Sequence, residues 1–123
     1  EAYRQAHTLL TELAEAQLAL DPLAGLARSA LEQGDSTQAL RNVEHILRDL
    51  DSLLSDGSEE FLRIHLWCWQ VLRALHDRRA RSVIAAAHRA LRHRAAKISD
   101  AEMQRVYLED IRVHREIVQA YEG

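Results

Sequence analysis

The chain has 123 residues, long enough for one domain with one core. Apolar residues make up 47% and charged residues 28%, with a net charge of −3, which argues against a disordered tail or a strongly basic nucleic-acid binder. With 4 Gly, 1 Pro, and Leu and Ala at 19 each against 6 Val and 6 Ile, the composition favours helix and disfavours sandwiches, barrels, doubly wound sheets, dinucleotide loops and P-loops.

The first predicted helix spans Ala2 to Leu20, where Tyr3, Ala6, Leu10, Leu13, Gln17 and Leu20 recur at steps of three and four. Asp21-Pro22 breaks and restarts the chain, since Asp caps and Pro suits the first helical position. A second helix runs from about Pro22 to Gln33 and stops at Gly34, a residue suited to a left-handed C-terminal turn. Asp35 with Gln38 resembles a capping box and opens a third helix, carrying Ala39, Leu40, Val43, Ile46, Leu47, Leu50, Leu53 and Leu54. Ser55-Asp56-Gly57-Ser58 reads as a loop.

The fourth predicted helix, about Glu59 to His76, is apolar on most sides. Phe61, Ile64, Cys68, Val71, Leu72 and Leu75 form one stripe, with Leu62, Leu66 and Trp69 on a second side and Trp67 and Ala74 on a third. Such a helix must be covered on most sides, so it is expected at the centre or in an oligomer contact. The fifth starts near Asp77 and runs to about Ile98. One arc holds Ala80, Val83, Ile84, Ala87, Ala90, Leu91 and Ile98; the opposite arc holds Arg78, Arg79, Arg81, His88, Arg89, Arg92, His93 and Lys97. Arg94 falls inside the apolar arc. It is expected to pair with an acid of the next helix, Glu102, Glu109 or Asp110, or to snorkel to the edge. Ser99 with Glu102 predicts a capping box for a sixth helix, or a bent pair, carrying Met103, Val106, Tyr107, Leu108, Ile111, Ile117, Val118 and Tyr121.

Charge is segregated along the chain. Residues 1–62 carry 12 acids against 4 Arg, for −8, whereas residues 73–97 carry 7 Arg and Lys97 against Asp77, for +7. Arg78, Arg81, His88, Arg89, Arg92 and His93 therefore form the candidate interaction surface. A solvated face or a protein contact fits it best. Nucleic-acid contact is the alternative, disfavoured by the acidic balance, the 5% aromatic content and the absence of a recognisable helix-turn-helix.

No residue set carries catalytic, cofactor or metal chemistry, so the chain is expected not to be an enzyme. The seven histidines contain no H-E-x-x-H, and no two lie four apart, so they read as surface or half-buried imidazoles. Cys68, the single cysteine, sits mid-helix among aromatics and reads as inert packing. Adjacent carboxylates such as Glu59-Glu60 and Glu109-Asp110 diverge on a helix and make no acid–base pair. Trp67 and Trp69 are expected to pack between neighbouring helices rather than line a ligand groove. A cytoplasmic location fits the cysteine content, and no apolar run approaches the roughly 20 residues of a membrane span. Without an initial methionine or a visible signal peptide, the chain reads as a piece of a longer protein.

The second and third helices, and the fourth and fifth, both read as helix–short turn–helix. The first pair gives Leu23, Leu26, Ala27, Ala30, Gly34, Ala39, Val43 and Ile46, a spacing that resembles the tetratricopeptide repeat. The second pair is degenerate: Ile64, Trp67, Cys68, Val71, Ala80, Ile84 and Ala87 match, but Leu75 stands where Gly is expected. Ala74-Leu75-His76-Asp77-Arg78-Arg79-Ala80, then Arg94 to Asp100, Arg105 to Ile111 and His114 to Ile117 follow in an order similar to one family. It is the C-terminal part of the tetratricopeptide-like region of large bacterial signalling ATPases, including LuxR-type and cyclase-linked regulators. The resemblance covers about residues 22–121 and departs at Ile111-Arg112, where a Val-Pro pair is usual. It implies a scaffold role and no active site.

The resulting expectation is a single all-α domain over residues 1–123. It would have about six or seven antiparallel helices stacked as tetratricopeptide-like hairpins in a right-handed superhelix. Gly34, Ala39, Trp67, Trp69 and Arg94 are its structural residues. The expected partner is a protein, either other modules of the parent chain or a separate molecule. An apolar patch left on an end helix would allow a homodimer.

Overall fold

The computed structural model describes residues 24–53 and 59–123. Among these, all regular structure is α-helical, in six helices with no strand. The helices are α1 (residues 24–32), α2 (Ser36–Leu53), α3 (Glu59–Ala74), α4 (Arg79–Ala95), α5 (Ala101–Glu109) and α6 (Arg112–Glu122). The predicted Ala2–Leu20 helix, the Asp21-Pro22 restart, Leu23, Leu54 and the Ser55–Ser58 loop lie outside the described residues, as do the side chains of Leu50 and Leu53. The sixth predicted helix is a pair, α5 and α6.

Two similar turns reverse the chain. After α1, the Gly34 and Asp35 amides donate to the Leu31 and Ala30 carbonyls at 3.0 and 2.8 Å. After α3, the His76 and Asp77 amides donate to the Arg73 and Leu72 carbonyls at 3.0 and 2.9 Å. This double bond pattern satisfies the orphan carbonyls of a helix end and needs a left-handed residue. Gly34 takes it at φ 81° and His76 at φ 58°. The left-handed residue of the second turn is thus His76, one place beyond the Leu75 expected from the repeat.

Each turn ends in a capping aspartate. Asp35 Oδ1 accepts from the Gln38 amide at 3.1 Å, and Asp77 Oδ1 from the Arg79 amide at 2.9 Å. The reciprocal half of the first box is absent, because the Gln38 side chain donates forward to Asn42. At α5 the cap is Asp100, which accepts from the Met103 amide at 3.0 Å, not the expected Ser99. With Asp100 as the cap, Glu102 is the second helical residue and not the third that a capping box needs, and it pairs with Arg105. The Gln104 amide closes the end of α4 instead, donating to the Ala95 and Ile98 carbonyls at 2.9 and 3.1 Å.

The core follows the apolar stripes. Ala24, Ala27 and Ala30 of α1 and Ala39, Val43 and Ile46 of α2 are all buried in one core cluster. α3 is central, as its many-sided apolar surface requires. It packs on α2, α4 and α6 and buries Phe61, Leu62, Ile64, Leu66, Cys68, Val71 and Leu72. α4 adds Val83, Ile84, Ala87, Leu91 and Ala95, and α6 adds Ile117. α5 buries no residue and leaves Met103 58% exposed. No described helix is long and apolar enough to cross a membrane.

Candidate functional site

The basic face of α4 has two parts. Arg78, Arg81, His88, Arg89, Arg92 and His93 share an arc of about 140° at 100° per residue. Arg81 and His88 are occupied by α6. The Arg81 Nη1 donates to the Tyr121 carbonyl at 2.8 Å, and its guanidinium carbon lies 4.5 Å from the Tyr121 ring centroid. The His88 ring stacks on the same tyrosine, centroids 3.9 Å apart and planes within 10°. Positions seven apart rise about 10.5 Å along a helix, which leaves room for one ring between the two side chains. Burial pushes the His88 imidazole toward its neutral form, and the Arg92 and Arg81 charges add to this.

Arg78, Arg89, Arg92 and His93 form the other part. All four are exposed, and none pairs with a carboxylate among the described residues. Arg92 Nε lies 3.5 Å from His88 Nε2. Arg79, by contrast, is consumed locally. It binds Asp77 through two nitrogens at 3.0 and 2.8 Å and reaches Glu44 of α2 at 3.1 Å, tying α2 to the α3–α4 turn. The Arg79 guanidinium holds the Asp77 carboxyl down at about 2.

Arg94 does pair with an acid, but on a different helix from the one expected. Its guanidinium lies 3.9 Å from Glu59, the first residue of α3. Of the acids anticipated for it, Glu102 and Glu109 are both held by Arg105. His114 Nε2 also lies 2.8 and 3.0 Å from the two Glu59 carboxyl oxygens. His114 is fully buried, with Nδ1 2.8 Å from the Tyr107 carbonyl and its ring 4.3 Å from the Tyr107 ring. One carboxylate thus joins α3, α4 and α6, and the histidine adds α5. Burial raises the Tyr107 phenol, and the neighbouring Arg94 guanidinium opposes that rise. Glu59, Tyr107 and His114 were not singled out from sequence. The one available signal was His114 itself, a polar residue three before Ile117 on the buried stripe of α6.

Both tryptophans are half-buried against the core, and Trp69 also borders a cleft between α3, α4 and α6. Trp67 faces the guanidinium of Arg28 from α1 at 5.1 Å and of Arg63 at 5.6 Å, and Trp69 that of Arg73 at 5.2 Å. Gly34 takes the left-handed turn position, and Ala39 is fully buried. Burial pushes the Cys68 thiol up to about 12, which removes thiolate chemistry at neutral pH. No group of three or more metal-ligating side chains occurs among the described residues.

Among the described residues these features define an all-helical fold with an exposed basic face on α4. No protein-family model, curated protein or solved structure matches the chain.

Proposed function

We propose that the chain is a non-catalytic interaction scaffold, a tetratricopeptide-like superhelical domain of a larger cytoplasmic bacterial signalling or transcription-regulatory protein. Its basic α4 face would hold an acidic segment of a partner protein or of the parent chain. The observation that carries this is the exposed row of Arg78, Arg89 and Arg92, which pair with no carboxylate among the described residues. Exposed arginines contribute little to stability, so a row of them on a rigid helix is better explained by recognition. The sequence resemblance to the helical arrays of bacterial signalling ATPases supports the same role.

The test is binding of a 15-residue Asp/Glu-rich peptide and of a duplex DNA of similar charge, each at two salt concentrations. Peptide binding weakened about tenfold by Arg89→Gln with Arg92→Gln supports the proposal. Tighter DNA binding with a steep salt slope replaces it with the nucleic-acid reading. Binding of neither at low salt removes the assigned role of this face.

A further inference from the structure

Within the basic arc of α4, Arg78, Arg81, His88 and Arg92 follow one another at steps of three, seven and four, which sets them on a single stripe. The stripe is about 21 Å long at 1.5 Å per residue. Arg78 and Arg92 at its ends are exposed, while Tyr121 of α6 ties up the middle by lying against Arg81 and His88. The last turn of α6 is therefore clasped to the face that is assigned to an acidic segment.

The clasp depends on a neutral imidazole. His88 Nε2 accepts at 3.5 Å from Arg92 Nε, a nitrogen that can only donate, so the ring must present a lone pair there. A proton on that nitrogen turns the contact into one between two cations. It also leaves the Tyr121 ring between a charged His88 and the Arg81 guanidinium, 3.9 and 4.5 Å from its centroid. Burial first, and then the Arg92 and Arg81 charges, favour the neutral ring, whereas Glu122 of α6 draws the proton. From α3, Arg73 borders the same cleft as Arg81 and adds a further cation. α5 meets α4 at Ala95, about 10.5 Å further along the helix.

We propose that His88 is a pH-sensitive latch on the basic face: its protonation releases the last turn of α6 and frees Arg81 and His88 to join the exposed row, which then holds an acidic segment more tightly. The ring charges more readily once Tyr121 has left, so opening takes up a proton. The docked turn is favoured above about pH 6.5, the ordinary histidine value, and loses ground as pH falls through it. The gain in binding rests on the role proposed above for Arg78, Arg89 and Arg92; the latch itself does not.

The test follows the whole chain at about pH 7.5 and about pH 5.5. Amide protection factors from Val118 to Tyr121 read the latch, and affinity for the same Asp/Glu-rich peptide reads the face. Protection is expected to fall about threefold in acid and affinity to rise about threefold. His88→Phe keeps a stacking ring that takes no proton. Its protection should be equal at the two pH values, and its affinity gain should shrink to the part due to His93. Glu122→Gln removes a carboxylate that draws the proton to the docked ring, and should enlarge the fall. Unchanged protection in the unsubstituted chain, or an equal fall in His88→Phe, overturns the latch. A fall in protection without the extra affinity overturns its link to binding. A peptide that binds at neither pH removes the role of the face, while the protection factors still decide the latch.

Discussion

A histidine with no solvent exposure needs a partner at each ring nitrogen, because an unpaired buried nitrogen is costly. His114 has the Tyr107 carbonyl on one side and the Glu59 carboxylate on the other. Replacing it with alanine opens a cavity and orphans a carbonyl, so His114→Ala is expected to cost about 2–4 kcal/mol in urea unfolding. Glu59 is half open to water, and Glu59→Gln keeps one acceptor, so its cost should stay near or below about 1 kcal/mol. Equal losses would show that the pair, rather than the buried ring, carries the stability. Asp77 gives the pH counterpart. Arg79 lowers its folded value to about 2 from an ordinary 3.8, so the unfolded chain takes up the proton first as pH falls. The stabilisation is complete above about pH 4 and is lost between about pH 4 and 2. Asp77→Asn should flatten that acid limb, and an unchanged slope would place the acid sensitivity elsewhere. Asp77 was legible from sequence as a helix start because its partner is two residues away. The Glu59–His114 bond was not, because 55 positions separate its ends and neither residue type announces burial.

The helices themselves were legible because their stripes are regular and their ends carry local chemistry. The register at the second turn was not. Packed positions of the two hairpins stand 41 apart, as in Ala30 and Val71 or Val43 and Ile84, whereas the left-handed residues Gly34 and His76 stand 42 apart. α3 runs one residue further past its last matched core position before it turns, and the return is one residue shorter. Both spacings exceed the roughly 34-residue unit of the tetratricopeptide repeat, so any repeat here is an extended one. The two turns also make a matched experiment. A Cβ built on Gly34 meets nothing within 4 Å, so Gly34→Ala tests backbone conformation alone. It should destabilise by about 1 kcal/mol, the left-handed cost for an L-residue. His76 already bears that cost at φ 58°, and His76→Gly should recover up to about 1 kcal/mol. Thermal melts of the two variants should move in opposite directions. Movement in the same direction would mean that side-chain contacts, not φ, dominate one of the turns.

Across the whole molecule, stability is expected to be uneven, because burial is. α3 is covered by neighbours along most of its length, while α5 buries nothing and is fixed by its Asp100 cap, by Gln104 and by the Tyr107 carbonyl. The composition made the all-helical class legible, and the many-sided apolar surface of residues 59–76 made the centre legible. Which helix would lie at the edge was not, since Met103, Val106, Tyr107 and Leu108 read as a core stripe while none of them is buried. A helix held by a few bonds opens locally, at a free energy below that of global unfolding. Amide exchange along α5 is therefore expected to run at least about a hundredfold faster than across Leu66 to Leu72 of α3. α6 should sit between them, since it is fastened to α3 through Glu59 and to α4 through the Arg81–Tyr121–His88 stack. His88→Asn, which removes one side of that stack, should raise exchange in the last turn of α6 and leave α3 unchanged. Uniform protection across α3, α5 and α6 would show instead that the array unfolds as one block and that α5 is no edge.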